Sequence, residues 1–415
     1  MHPEGVTMAR LAVFGGDPIF DRPLDWQTFW PPVTQSTARA LQDLYFSRRW
    51  TAFDTAERTF AHDFAAHHGA RHGIFTINGT VTLQSALAAL KVGPGDEVIV
   101  SPLTWCSTAL AVRHVGAMPV FVDIEPNTLC IDPSGIEAAI TERTRAIIAV
   151  HAYGSMADMD RIMSIARHHN LKVIEDCAHM HGGTWNDQGV GSLGDVGSFS
   201  FQMCKTMSSG EGGICITNNP ELAERIFRIK QIGYGSADAI GQAKHGPPPG
   251  LLCYNFRATA FHPVILQEQL GGLKELLGRY GQAVRYLEER LARSTKLRFQ
   301  SPGRRATRQG YFGWFMLFDD PTYSDIPIEA IQKALAAEGL LTGRAEGPIF
   351  RSALFNLTPE QYRISRACAT TWHVCDRSLW LLHPYLGLAH EVLEKIAAVL
   401  EKVLDHADDL RGTGS

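Results

Sequence analysis

None of the eight cysteines (Cys106, Cys130, Cys177, Cys204, Cys215, Cys253, Cys368, Cys375) is spaced from another as CxxC. Most stand in apolar, strand-like or helix-like surroundings, which predicts buried thiols rather than a disulfide framework or a zinc knot. Basic residues form no stripe: 39 Lys and Arg stand against 43 Asp and Glu, for a net charge of −4. That balance excludes an electrostatic footprint for nucleic acid or anionic lipid. No uninterrupted apolar run approaches membrane-spanning length, and the N-terminal "MHPEGVTMARLAVFGGDPIF" has no apolar core behind a basic start. The expectation is a cytoplasmic protein with no membrane and no nucleic-acid partner. Internal repeats, low-complexity tracts and a DNA-binding module are also lacking. What remains is 415 residues, 45% of them hydrophobic, enough for a sizeable core in two or three domains and a small-molecule partner.

From about residue 70 to 232, short apolar runs alternate with segments of helical spacing. The runs are "GIFTI" (73–77), "EVIVS" (97–101), "PVFVD" (119–123), "AIIAV" (146–150), "KVIED" (172–176), "GSFSF" (197–201) and "GICIT" (213–217). Such alternation predicts an α/β fold: a mostly parallel, seven-stranded sheet sandwiched by helices. The glycine-rich segment 235–250, with three consecutive prolines, cannot continue a helix or a central strand and reads as an exposed loop. Beyond it, "FHPVILQEQLGGLKELLGRYGQAVRYLEERLA" reads as long helices, "YFGWFMLFD" as a strand, and "HEVLEKIAAVLEKVLDHA" as a closing amphipathic helix. We divide the chain into an N-terminal segment (1–30), a large domain (31–270) and a smaller C-terminal α+β domain (271–415).

Ligands of open α/β sheets bind at the carboxyl ends of strands. After "GIFTI" come Asn78, Gly79 and Thr80 and at once a helix, a site for a phosphate dianion, or else a plain turn with Thr80 as N-cap. "KVIED" ends in Asp176, whose buried carboxylate must face something positive: an arginine, helix N–H groups, or a ligand. Asp176, His179 and His181 also form a DxxHxH cluster of metal-ligand types without a distal partner cluster, which keeps a metal hydrolase as a remote alternative. Lys205 follows "GSFSF" by four residues, where partial desolvation favours a neutral, nucleophilic amine; the bland account is a snorkelling surface lysine. Ser200 on that strand offers a hydroxyl, or is a satisfied core serine. Trp105, after "EVIVSPLT", offers a flat apolar face, or packs under its own loop. Taken together, these supply a phosphate cradle, a stacking face, a carboxylate and an amine at one sheet edge. Pyridoxal 5′-phosphate requires all four, with its aldehyde joined to Lys205.

Six ordered blocks carry a family likeness: "NGTVTLQSALAAL", "SPLTWCSTALAVRHVGAMPVFVDIEPNTLCIDP", "HAYGSMADMD", "VIEDCAHMHGG", "SFSFQMCKTMSSGEGGICITN" and "YNFRATAFHPVILQEQL". From about residue 10 to 405 the chain resembles the DegT/StrS family of PLP-dependent sugar aminotransferases. The resemblance implies the fold-type I aminotransferase architecture and a homodimer with active sites at the dimer interface. It implies Lys205 as the Schiff-base lysine, Asp176 as the partner of the pyridine nitrogen, and Trp105 as the stacking ring. It further implies Gly79, Thr80 and Ser200 as phosphate contacts, and Asn255 and Arg257 as residues lent by the neighbouring subunit. His179 stands where the family often has glutamine, near the cofactor's phenolic oxygen. Histidine there, with "EDCAHMHG" and "FSFQ", is similar to the aminohydroxybenzoate synthase branch, which aromatises its product. "LAVFGGDPIFDRPLDW" and "YGSMADMD" look instead like the cyclitol branch, whose members aminate scyllo-inosose and 2-deoxy-scyllo-inosose. Some relatives carry histidine in place of the lysine and act as dehydratases; Lys205 argues against that route. The implied reaction moves an amino group from L-glutamine or L-glutamate to a keto-cyclitol or keto-sugar. His179, His181, Tyr153, Tyr234, Arg344 and His383 are candidates to line the cleft.

Overall fold

The computed structural model describes residues 10–51, 55–238, 242–345 and 347–412. Residues 1–9 of the expected N-terminal segment and 239–241 of the expected loop lie outside the described residues. The strands in chain order are β1 (His72–Thr76), β2 (Glu97–Val100), β3 (Met118–Phe121), β4 (Thr144–Val150), β5 (Lys172–Asp176), β6 (Thr184–Trp185), β7 (Gln188–Gly189), β8 (Val196–Ser200), β9 (Gly213–Thr217), β10 (Arg298–Phe299), β11 (Ala306–Arg308), β12 (Gly313–Leu317), β13 (Arg363–Ile364) and β14 (Ser378–Leu382). The helices are α1 (Gln35–Ser47), α2 (Thr55–His67), α3 (Gly79–Ala89), α4 (Ser107–His114), α5 (Pro133–Ala139), α6 (Met159–His168), α7 (Pro220–Lys230), α8 (Phe261–Ser294), α9 (Ile328–Ala337), α10 (Ala369–Asp376) and α11 (His390–Asp405).

All seven expected strands form, and their order is β1-β9-β8-β5-β4-β2-β3-β13. Only β9 runs against the others. The eighth strand corrects the expected count of seven: β13 comes from the C-terminal part and pairs in parallel with β3, Arg363 opposite Val120. Its anchor is a buried carboxylate, because Arg363 donates to Glu97 Oε2 (2.9 Å) and to the Ala139 carbonyl (2.7 Å).

The strands are rich in Val and Ile and alternate between two cores. Ile147 and Ala149 of β4 face one side, while Ala146, Ile148 and Val150 face the other. Burial on both faces is what a parallel sheet needs. Helices begin where an Asn or Asp caps them: Asn78 for α3, Asp132 for α5 with Pro133 behind it, Asp158 for α6, and Asn219 for α7 with Pro220 behind it.

The segment read as long helices is one continuous helix, α8, of 34 residues. Its buried residues Leu266, Leu270, Leu273, Leu277, Tyr280, Leu287 and Leu291 follow a seven-residue rhythm, and that stripe outweighs the helix-weakening Gly271 and Gly272. Residue 271 therefore lies inside α8. A three-stranded antiparallel sheet, β10-β12-β14, forms the centre of the C-terminal part, with α11 packed on both α8 and α9.

Candidate active site

The carboxyl ends of β1, β5 and β8 and the first turns of α3 and α4 enclose the site. Asn78 has extended backbone and its side chain accepts from Val81 N (3.0 Å), so Asn78, not Thr80, is the N-cap of α3. Thr80 is thereby free for another task, and its hydroxyl donates to Ser107 Oγ at 2.9 Å. Ser107 opens α4, so two helix N-termini and their hydroxyls converge. First-turn N–H groups such as those of Gly79 and Thr80 have no acceptor within the helix. Ser200 closes the cradle from β8. A Cβ on Gly79 would stand 2.6 Å from the Ser200 Cβ, so only glycine allows this approach. We predict that Gly79→Ala costs about 1–3 kcal/mol of stability by overpacking and weakens binding of a phosphate ligand. Thermal melts and titration with pyridoxal phosphate check both.

Asp176 ends β5 at 5% exposure. Its Oδ2 accepts from Thr108 Oγ1 (2.8 Å) and its Oδ1 from Ala178 N (3.2 Å). An ionised carboxylate offers about four acceptor sites, so capacity remains for a further N–H donor. Burial pushes its pKa up, against the Thr108 and Ala178 hydrogen bonds and the Lys205 charge. The acid before it, Glu175, is a structural bolt: fully buried, it accepts from Gly191 N, Leu193 N, Gly194 N and His151 Nε2.

Lys205 is half-buried, and among the described residues its Nζ has no hydrogen-bond or ion-pair partner. Nζ lies 4.6 Å from the centre of the Phe312 ring. Burial pulls its pKa below the usual lysine value, opposed by the Cys204 and Asp176 charges. That departs from a snorkelling surface lysine. His179 stacks on the same Phe312 ring, with centroids 3.9 Å apart and planes 6° apart. Its Nδ1 accepts from Tyr153 N (3.4 Å), which leaves the proton on Nε2. Burial, then the Lys205 charge, holds its pKa well below the ordinary value, so the ring is a neutral donor.

Trp105 is 61% exposed, whereas Trp30, Trp185 and Trp314 are 7% or less. An indole left uncovered is free to lie against a ligand. Asn255 and Arg257 pair with each other, Arg257 Nε donating to Asn255 Oδ1 at 2.7 Å, and no described hydrogen bond joins them to Thr80, Ser107 or Ser200. Of the remaining cleft candidates, Tyr153 packs near His179, with ring centroids 5.7 Å apart. Arg344 is held by Glu329, and Tyr234 is partly buried after α7. His181 and His383 are fully buried behind the site and do not line it. His181 donates to the Ser200 carbonyl (2.9 Å) among Phe64, Phe199 and Phe201.

The DxxHxH cluster does not assemble. Among the described residues, the one group of metal-ligand atoms within 4.8 Å of one another is His151, Glu175 and Cys177, at 0% exposure, and it omits Asp176, His179 and His181. All eight cysteines are free thiols, six of them buried. Among the described residues no helix is long and apolar enough to cross a membrane. Sequence reasoning missed Ser107 and Phe312. The serine had a signal, standing first in a helix after a strand end; the phenylalanine had none inside its apolar run.

Comparison with known proteins places this geometry in a family. The chain is 36% identical, over 97% of its own length and 99% of the relative's, to the L-glutamine:2-deoxy-scyllo-inosose aminotransferase of Streptoalloteichus tenebrarius. It is 38% identical to the enzyme of the same description from Micromonospora echinospora, over 81% of each chain. The crystal structure of 3-amino-5-hydroxybenzoic acid synthase superposes with a TM-score of 0.82 at 29% identity, covering 91% of this chain and 98% of that one. The architecture is that of the fold-type I PLP-dependent aminotransferases. The profile of the DegT/DnrJ/EryC1/StrS aminotransferase family matches residues 33–401, and the chain belongs to that family.

Proposed function

We propose that this aminotransferase binds pyridoxal phosphate through Lys205 and moves the α-amino group of L-glutamine to a keto-cyclitol. The observation that carries the chemistry is the Lys205 amine, unpartnered and below its usual pKa, in one cleft with the buried Asp176 carboxylate. The substrates rest on the aminotransferases named above, with which this chain is collinear. The residues fit the coenzyme: a glycine-tight helix N-terminus ringed by Thr80, Ser107 and Ser200 suits its phosphate, and spare acceptor capacity on Asp176 suits a ring N–H. We place the enzyme in the cytoplasm, where eight free thiols persist.

When bound, the coenzyme supplies an aldehyde for amine exchange and a ring that takes up the electron pair left by a broken C–H bond. Each residue then has a task. Asp176, once facing a cation, is held ionised and keeps the ring nitrogen protonated. Lys205, freed by the donor's amine, would take the α-proton at Nζ and return it two atoms along, to the former aldehyde carbon. His179 would donate from Nε2 toward the phenolic oxygen, and Trp105 would offer its uncovered indole to the ring. Asn255 and Arg257 act across a homodimer interface, Asn255 on the phosphate of the neighbouring site.

Donor and acceptor use one site in turn, so double-reciprocal plots should be parallel, and glutamine labelled with ¹⁵N at the α-position should pass its label to the product. Intersecting lines, or label retained in the donor, contradict the reading. A second reading, an aromatising synthase of aminohydroxybenzoate type, is favoured by His179 and by the likeness to 3-amino-5-hydroxybenzoic acid synthase. Incubation with a dehydroshikimate-like ketone decides it: an aminobenzoate chromophore supports the second reading, and its absence beside amination of a keto-cyclitol supports the first.

A further inference from the structure

Lys205 sits in a turn after β8, and the main chain of that turn is gripped from outside. Trp30 Nε1 donates to the Met203 carbonyl at 3.0 Å. His383 Nε2 donates to the Cys204 carbonyl at 3.0 Å, which fixes the proton on Nε2 because a carbonyl can only accept. Nδ1 must then accept, and Tyr280 of α8 supplies the O–H at 3.1 Å. Burial pushes the His383 pKa down to about 3, so the ring stays neutral and this tautomer holds. The Trp30 ring meets the His383 ring edge-on, centroids 4.6 Å apart. His383 N also donates to the Phe312 carbonyl (3.0 Å), and Phe312 is the ring beneath Lys205 Nζ. The contacts close a circuit from Lys205 through Cys204, His383 and Phe312 back to Lys205.

We propose that Trp30, Tyr280 and His383 are positioning residues that clamp the main chain of residues 203–204 and thereby set where the Lys205 amine stands. The clamp rests on the role proposed above for Lys205. A core histidine that merely filled space would need only its volume; here both ring nitrogens and the backbone N–H are committed, two of them to the elements that flank the amine.

The test is the rate at which coenzyme-free protein forms the lysine-bound chromophore on addition of pyridoxal phosphate, measured beside kcat and KM. His383→Leu should slow capture and lower kcat by roughly 10- to 100-fold, the scale of a displaced reacting group, with KM for both substrates little changed. His383→Gln, which returns an N–H donor to the Cys204 carbonyl, should recover most of both rates. Trp30→Phe keeps an aromatic ring but loses the N–H that grips the Met203 carbonyl, so a fall of about 2- to 10-fold is expected. Should His383→Leu fail to fold, Trp30→Phe and Tyr280→Phe decide. Folded variants with wild-type capture and kcat overturn the clamp alone, whereas wild-type protein that captures no coenzyme overturns the proposed function with it.

Discussion

Lys205→Ala is expected to lower turnover by about 10³-fold or more while the protein still folds and still takes up coenzyme. Two losses combine. The variant has no amine to join to the aldehyde, and no group at that point to carry the proton between carbons, a role that alone is worth roughly 10²- to 10⁴-fold. The cradle of Gly79, Thr80, Ser107 and Ser200 and the Asp176 carboxylate are untouched, so non-covalent uptake of coenzyme persists. Lys205→Arg should be equally inactive, because a guanidinium keeps the charge but stays protonated. Steady-state rates and equilibrium dialysis check this, and turnover within tenfold of wild type in either variant would remove Lys205 from the mechanism.

Asp176→Asn is expected to cost roughly 10²- to 10³-fold in kcat, the scale seen when a fixed electrostatic partner is removed. An amide cannot hold the coenzyme ring nitrogen protonated. The fold should survive, because Thr108 Oγ1 lies 3.0 Å from Thr104 Oγ1 and can turn to accept from the new amide while donating onward. The sign for the coenzyme-free protein is the opposite of that for catalysis. Burial raises the Asp176 pKa in the folded state, so its contribution to stability is lost as pH climbs through and above the ordinary carboxylate range. Asparagine escapes that loss. Coenzyme-free Asp176→Asn should therefore melt at or above the wild-type temperature at neutral pH, with the gain disappearing in acid. A lower Tm at neutral pH would mean that the carboxylate is bolted to the fold rather than held for a ligand.

Much of the fold and of the site is legible in the sequence. Seven strands could be placed within two residues of their observed bounds, because double-sided burial writes Val- and Ile-rich runs into the chain. Asp176, Lys205 and the Asn78–Thr80 turn stood out because strand ends expose their chemistry. What stayed hidden depends on distant contacts. Strand β13 is two residues long and exists because Arg363 reaches Glu97. The segment read as long helices is one helix, because its leucine stripe outweighs the glycines within it. Phe312 sits in an apolar run where nothing distinguishes the ring that meets a lysine from those that meet the core. His181 and His383 looked like cleft residues by type, yet their rings lie behind the site with hydrogen bonds to main-chain carbonyls.

The central claim is a covalent imine between the coenzyme and Lys205. Borohydride reduction of the coenzyme-loaded protein, followed by peptide mapping, tests it most directly. One reduced pyridoxyl mark is expected, on the peptide containing "QMCKTM". A mark on any other lysine, or none at saturating coenzyme, contradicts it.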